Sequence, residues 1–239
     1  MCGRFVIDMS QENLRRLCPA TRNEDFTTYL PKRITSYNIA PSQPVIVVKK
    51  DHLHFERQVR WCLWGLLPGW EKAPDQAKRM INARAETAAD KPTFRASMRH
   101  HRVLIPASGF YEWDRQRGTS QPYYLYRADG DILTFAGLWA HWLGPDGSEI
   151  ETTAILTTAA NPDLADLHHR MPVIVEPDNW DTWLDPEQQR PRHLTHLTQP
   201  SPAGTLRKHP VSPRVNRVRE NDPALLEPVP PEGGQLSLF

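Results

Sequence analysis

Cysteine is scarce in this chain: three in 239 residues, at positions 2, 18 and 62. So small and widely spaced an odd set speaks against a disulfide framework, and it offers no metal-ligand spacing. Long apolar runs are missing too. Nothing approaches the roughly 20 apolar residues of a membrane helix, and the opening MCGRFVIDMS lacks the apolar stretch of a secretion signal. The expectation is a cytoplasmic protein with no membrane partner. Neither sign of charge predominates: 29 Lys and Arg against 28 Asp and Glu leave a net charge of +1, so the chain is no uniformly basic nucleic-acid binder. Local clusters exist, at Arg95, Arg99, His100, His101 and Arg102 and again from Arg207 to Arg219. Charge alone reads them as solvated surface. There is no internal repeat.

What the chain has in quantity is tryptophan and proline, 8 and 23 residues. They point to a rigid, loop-rich fold rather than a helical bundle. Gln11 to Leu17 predicts a short amphipathic helix, with Leu14 and Leu17 three apart. Pro41 and Pro44 punctuate a loop before a strand at Val45–Val48. His52–Trp64 reads as its hairpin partner, and Pro68-Gly69 as a turn leading to Trp70. Strands follow at Val103–Ile105, Gly109–Trp113, Tyr123–Tyr126, Thr134–Trp139 and Thr153–Thr157. A helix is expected over Asn161–His168, capped by Asn161, and another from Pro177 through Trp183. The fold class is α+β with a mixed or antiparallel sheet.

Four residues draw attention for their chemistry. Removal of Met1 gives Cys2 a free α-amine beside its thiol. An aldehyde condenses with the amine to an imine, and the tethered thiol closes a five-membered thiazolidine with a large proximity advantage. With a reference pKa of about 7.7–8.0, a useful fraction of an α-amine is neutral near pH 7. Position alone equally allows an incidental cysteine after the initiator. Glu112, in SGFYEW, shares a strand face with Phe110, while Tyr111 and Trp113 take the other. Burial among aromatics would raise its pKa and suit general acid/base work; an exposed strand carboxylate shows the same pattern. Asn82, in INARAET, can donate and accept hydrogen bonds to a sugar or imine, with Arg84 two residues on for a phosphate; a turn asparagine beside a surface ion pair fits as well. His168, in LHHRMP, titrates near neutrality and can move protons, or can simply end a polar helix. Consecutive His168 and His169 make a poor metal site.

The order of these segments is specific. MCGRF, YNIAP, WGLLPGW, INARAET, SGFYEW, LHHRMPVIV and HPVS follow one another, and in this the chain closely resembles the SRAP family, the SOS-response-associated peptidase or abasic-site processing proteins, over Cys2 to Asn221. The resemblance implies a single catalytic domain at 1–222, barrel-like in its sheet core with short peripheral helices. It implies covalent capture of abasic sites in single-stranded DNA by a Cys2 thiazolidine, with possible β-elimination lyase activity and self-removal of Met1. It makes Asn82 the contact to the abasic sugar, Glu112 the proton-transfer residue and His168 the group assisting ring opening and release. Arg4, Asn38, Pro41, Trp70, Arg84, Thr157 and His209 are implied DNA contacts. No cofactor or metal is expected, and the molecule is expected to be a monomer. Two departures stand out. His169 occupies a position where an Asp is common, and Glu71 one where a second aromatic occurs in some members, which weakens binding by about 1–3 kcal/mol if a stacking contact is lost.

Residues 223–239 read as a Pro/Gly-rich tail. It ends in QLSLF, which looks like the pentapeptide that docks on the bacterial β sliding clamp. Gln235 would orient the segment, and Leu236, Leu238 and Phe239 would supply its apolar contacts. Such docking would concentrate the protein at replication forks. Two other functions use the same residues: an N-terminal-nucleophile thiol peptidase built on Cys2, Glu112 and His168, and a non-catalytic, clamp-recruited single-strand binder.

Overall fold

A computed structural model describes residues 2–19, 32–51, 56–72, 74–114 and 120–230. The expected helix forms over Gln11–Leu17, where the Ser10 hydroxyl accepts the Asn13 N–H at 3.2 Å and Leu14 and Leu17 are buried. Alternating apolar residues give the strands: β1 Phe5–Ser10, β2 Arg33–Ile39, β3 Pro44–Lys50, β4 Arg57–Trp64, β5 Asn82–Arg84 and β6 Arg102–Ala107. They continue with β7 Gly109–Asp114, β8 Gln121–Arg127, β9 Leu133–Leu143, β10 Glu149–Ala159, β11 Arg170–Pro172 and β12 Leu206–Pro210. The predicted strand from His52 starts at Arg57 within the described residues; 52–55 lie outside them.

Five strands close a mixed barrel in the order β10-β4-β3-β6-β9, completed by pairing of β9 with β10. The β10–β4 junction is parallel, with Thr152 opposite Leu63; the other barrel pairs are antiparallel. β10 also carries β5, in parallel, and β11. A second, antiparallel sheet runs β12-β8-β7-β1-β2. It packs on the barrel through edge-on aromatic contacts, Phe5 with Trp64 at 5.1 Å and Phe110 with Phe135 at 5.9 Å. Tyr111 faces the other way, into a smaller cluster with Val6, Tyr124, Val211, Val215 and Leu225. The alternation predicted for Phe110 and Tyr111 thus holds.

Three expectations need correction. Asn161–His168 is not a helix but successive turns: the Asn161 carbonyl accepts from Leu164 and Ala165, and the Leu164 carbonyl from Leu167 and His168. The Asn161 Oδ1, the atom a cap would use, accepts no hydrogen bond, while its Nδ2 donates to the carbonyls of Ser201 and Pro202. The packed chain also does not end at 222. Pro223–Leu226 forms a 3-10 turn with Leu225 fully buried, and the Val229 N–H donates to the Pro210 carbonyl. Third, Arg102 is no surface charge. It is buried, and its guanidinium donates to the carbonyls of Met98, Arg99, Trp183 and Asp185.

Candidate active site

The segment Cys2–Arg4 enters β1, where Phe5 pairs with Phe110 of β7, and the Tyr111 N–H donates to the Arg4 carbonyl at 2.9 Å. This fixes the chain start against the strand that bears Glu112. β5 delivers Asn82 from the opposite side, held in register with Ile155 of β10. The Asn82 Nδ2 donates to the Cys2 carbonyl at 2.9 Å, while its Oδ1 is buried with no hydrogen-bond partner. A buried acceptor left open is costly, and this oxygen is free to take a hydrogen bond from a group that enters beside Cys2.

Glu112 is buried on β7, on the same face as Phe110. His168 stands where the turns after β10 lead into β11. Its Nδ1 accepts the Arg170 N–H at 2.9 Å, so in the neutral ring the proton sits on Nε2. Glu112 and His168 line a cleft of about 410 Å³ together with Gly3, Arg4 and Trp113. Cys2 is 0 % exposed beside it. Burial pushes the Cys2 thiol well above the usual range, and the Glu112 charge pushes it further. Burial also lowers the His168 pKa from 6.5, against the opposing pull of Glu112. Burial thus favours the neutral forms of both the thiol and the imidazole.

Arg4 completes the wall of the cleft. Its Nη1 donates to the Asn38 Oδ1 and the Val215 carbonyl, both at 2.7 Å, and its buried Nε has no partner. Burial lowers its pKa.

Cys2, Asn82, Glu112, His168 and Arg4 thus meet, with Arg84 exposed next to Asn82 on β5. Trp70 stands 64 % exposed beyond β4, and Pro41 is half-buried in the β2–β3 loop. Three of the residues expected at DNA also make contacts within the protein. Asn38 is buried and ties the carbonyls of Val215, Arg217 and Glu220. Thr157 is fully buried, and its carbonyl accepts from Arg170. His209 lies edge-on to Tyr124 and bonds the Leu226 carbonyl at 2.8 Å, holding down the 223–226 turn. Residues 235–239 lie outside the described residues.

Sequence reasoning missed Arg170, which pairs with both oxygens of Glu86 at 2.6 and 2.8 Å and so braces β11 and the His168 turn against the helix Ala85–Ala88. Both residues stood in motifs already singled out. It also missed Asn216, whose Oδ1 accepts the Trp113 indole N–H at 2.7 Å; nothing in the run Arg214–Arg219 marks it. Among the described residues no group of three or more His, Cys, Asp or Glu is arranged to hold a metal ion, and no helix is long and apolar enough to cross a membrane.

The sequence profile of the family described as SOS response associated peptidase (SRAP) matches residues 1–218. The chain belongs to the SRAP family. Among SRAP relatives, the abasic site processing protein YoqW of Bacillus subtilis is 36% identical over 95% of this chain and 99% of its own length. YedK of Escherichia coli, of the same description, is 32% identical over 96% of this chain and 100% of its own. The chicken protein HMCES, also called an abasic site processing protein, is 32% identical over 96% of this chain and 78% of its own. A crystal structure of a protein from Bacteroides thetaiotaomicron superposes with a TM-score of 0.79 at 25% identity, over 94% of this chain and 99% of that one. The SRAP match stops short of Leu225 and Val229, which pack onto the domain all the same.

Proposed function

We propose that this chain captures abasic sites in single-stranded DNA, through a thiazolidine on Cys2 formed once Met1 is removed. The observation that carries the reading is the Asn82 side chain. One end fixes the Cys2 carbonyl and the other presents an open acceptor, beside a cleft that holds Glu112 and His168. The relatives named as abasic site processing proteins support it.

The chemistry balances with the chain's own groups. The Cys2 amine adds to the C1′ aldehyde of the ring-opened sugar. Glu112 takes a proton from the nitrogen of that adduct and hands it to the hydroxyl, which leaves as water to give the imine, while His168 serves the sugar ring opening that precedes it. The sulfur then adds to the imine carbon while its proton passes to the nitrogen, with Glu112 as the relay. The net loss is one water. The imine also acidifies the adjacent sugar C–H, so β-elimination and strand cleavage compete with ring closure.

The family description favours a second reading, a thiol peptidase. The raised Cys2 pKa opposes it, because a thiol nucleophile for acyl transfer works as a thiolate in an electropositive setting. The tail motif Gln235–Phe239 completes the proposal as a clamp ligand that brings a monomeric enzyme to replication forks. Its test is loss of binding to purified bacterial β clamp on deletion of 235–239.

Intact mass spectrometry tests the central claim. Protein lacking Met1, mixed with single-stranded DNA bearing one abasic site, is expected to gain the DNA mass minus one water and to resist heat and denaturant. Cys2→Ala is expected to form no adduct. Full crosslinking by that variant, or by protein whose α-amine is blocked, sinks the assignment.

A further inference from the structure

Beyond Arg84 the surface falls into two adjoining depressions. The first, about 410 Å³, is floored by Ala85, Glu86, Thr158 and Ala159, the residues that directly follow Arg84 on β5 and Thr157 on β10. The second, about 460 Å³, shares Ala89, Pro191 and Arg192 with the first and adds Arg99, His100 and Arg190. Asp90 is the one carboxylate in the lining of the second. Glu86 in the first is held by both nitrogens of Arg170, so its charge is answered before any ligand arrives.

Elsewhere many arginines are committed. Arg57 pairs with Asp181, Arg127 with Asp129 and Glu176, and Arg214 with Glu220 and Asp222. Along the two depressions the opposite holds. Arg84, Arg99, Arg190 and Arg192 are all exposed, and among the described residues none has an ion pair. The second depression thus gathers three unpaired guanidinium groups, Arg99, Arg190 and Arg192, and the first, which shares Arg192 with it, extends from there to the residues that follow Arg84. Such a lining suits a chain of phosphodiesters, which guanidinium forks bind in bidentate fashion.

We propose that the path from Arg84 through Arg192 to Arg99 and Arg190 is a phosphate track for the single strand flanking the captured residue. The proposal rests on the abasic-capture reading and deepens it: the protein holds not only the lesion but several nucleotides to one side. The 95–102 basic run is thereby divided by the fold, with Arg102 built into the core and Arg99 and His100 left to the track.

The test uses fluorescence anisotropy with single strands of about five and about 20 nucleotides, each carrying a tetrahydrofuran abasic analogue that has no aldehyde and so reports noncovalent binding alone. Wild type is expected to bind the long strand more tightly and with steeper salt dependence. In R99Q/R190Q/R192Q, long-strand affinity is expected to fall at least about tenfold at about 50 mM salt, and the slope of log K against log salt to flatten by about 2, near 0.7 for each of three phosphates. Short-strand binding stays as in wild type, which also shows that the variant is folded. R15Q/R207Q, exposed arginines off the track, is expected to change neither strand. A triple variant that keeps the long-strand affinity and slope overturns the track, as does an equal loss in R15Q/R207Q. Failure of the capture reading is seen separately, as absence of a denaturant-resistant adduct between wild type and the short strand bearing a true abasic aldehyde.

Discussion

At the scale of single residues, burial and the Glu112 side chain together set how Cys2 and His168 titrate. Glu112 raises the Cys2 thiol and works against the burial that lowers His168. Glu112→Gln removes a negative charge from beside the imidazole, so His168 is expected to titrate still lower, as read by NMR of its ring protons. Adduct formation by the same variant is expected to slow by about a hundredfold or more, the usual worth of a positioned proton carrier, measured on quenched denaturing gels. Arg102 tests a structural role. Four backbone carbonyls depend on it, and Arg102→Met is expected to cost about 3 kcal/mol in urea unfolding, since charged donors to buried acceptors are worth more than neutral ones. Cys2, Asn82, Glu112 and His168 were legible in the sequence because each sits in a short motif whose residue types suit the chemistry. The hydrogen bonds that Asn38 and Thr157 make inside the protein were not legible. Whether a polar side chain faces DNA or ties down a neighbouring loop depends on segments more than 70 positions away, as with Asn38 and Val215 or Thr157 and Ala83.

At the scale of elements, strand positions followed from apolar alternation, and the helix Gln11–Leu17 from its cap and spacing. The turns over Asn161–His168 did not, because local propensity favoured a helix while the Asn161 side chain is turned to Ser201 and Pro202, 40 and 41 positions on, where its Nδ2 donates. Nor did the parallel β10–β4 contact that joins distant strands, since alternation gives a strand its faces and not its partner. Two glycines show how closely these strands approach. A methyl at Gly137 would meet the side chains of Ile105 and Val103 at 2.8 Å, whereas one at Gly109 would run into the Leu125 carbonyl and sit 2.5 Å from the Tyr124 ring. Side chains repack and backbone does not. Gly137→Ala is therefore expected to lose about 1–3 kcal/mol and Gly109→Ala more, by thermal or urea unfolding. Because β7 carries Glu112, Gly109→Ala is also expected to slow adduct formation in the fraction that folds.

For the molecule as a whole, stability should fall with acid in two stages. His168 has a folded pKa below its ordinary 6.5, so the unfolded chain binds the proton more readily and stability is lost as pH drops through that value. Asp129, held by Arg127, is depressed from 3.8 to about 2, so its contribution is present above pH 4 and disappears as pH falls through about 2. Glu86 and Asp181, depressed by Arg170 and Arg57, act in the same direction. Chemical denaturation followed from pH 8 to pH 2 is expected to show falling midpoints throughout. Asp129 is exposed, so its share should shrink in high salt.

The full burial of Cys2 has a consequence in time. Its carbonyl is held by Asn82, and the strand bearing Asn82 has its place only when β10, ending at Ala159, is available to pair with it. While a ribosome makes those intervening residues, roughly ten to thirty seconds at ordinary rates of synthesis, the first peptide bond of the chain trails in solvent, open to an aminopeptidase. Once the barrel closes, Cys2 is out of solvent. Synthesis thus opens an interval in which the reactive end of a given molecule can be unmasked before its thiol is enclosed.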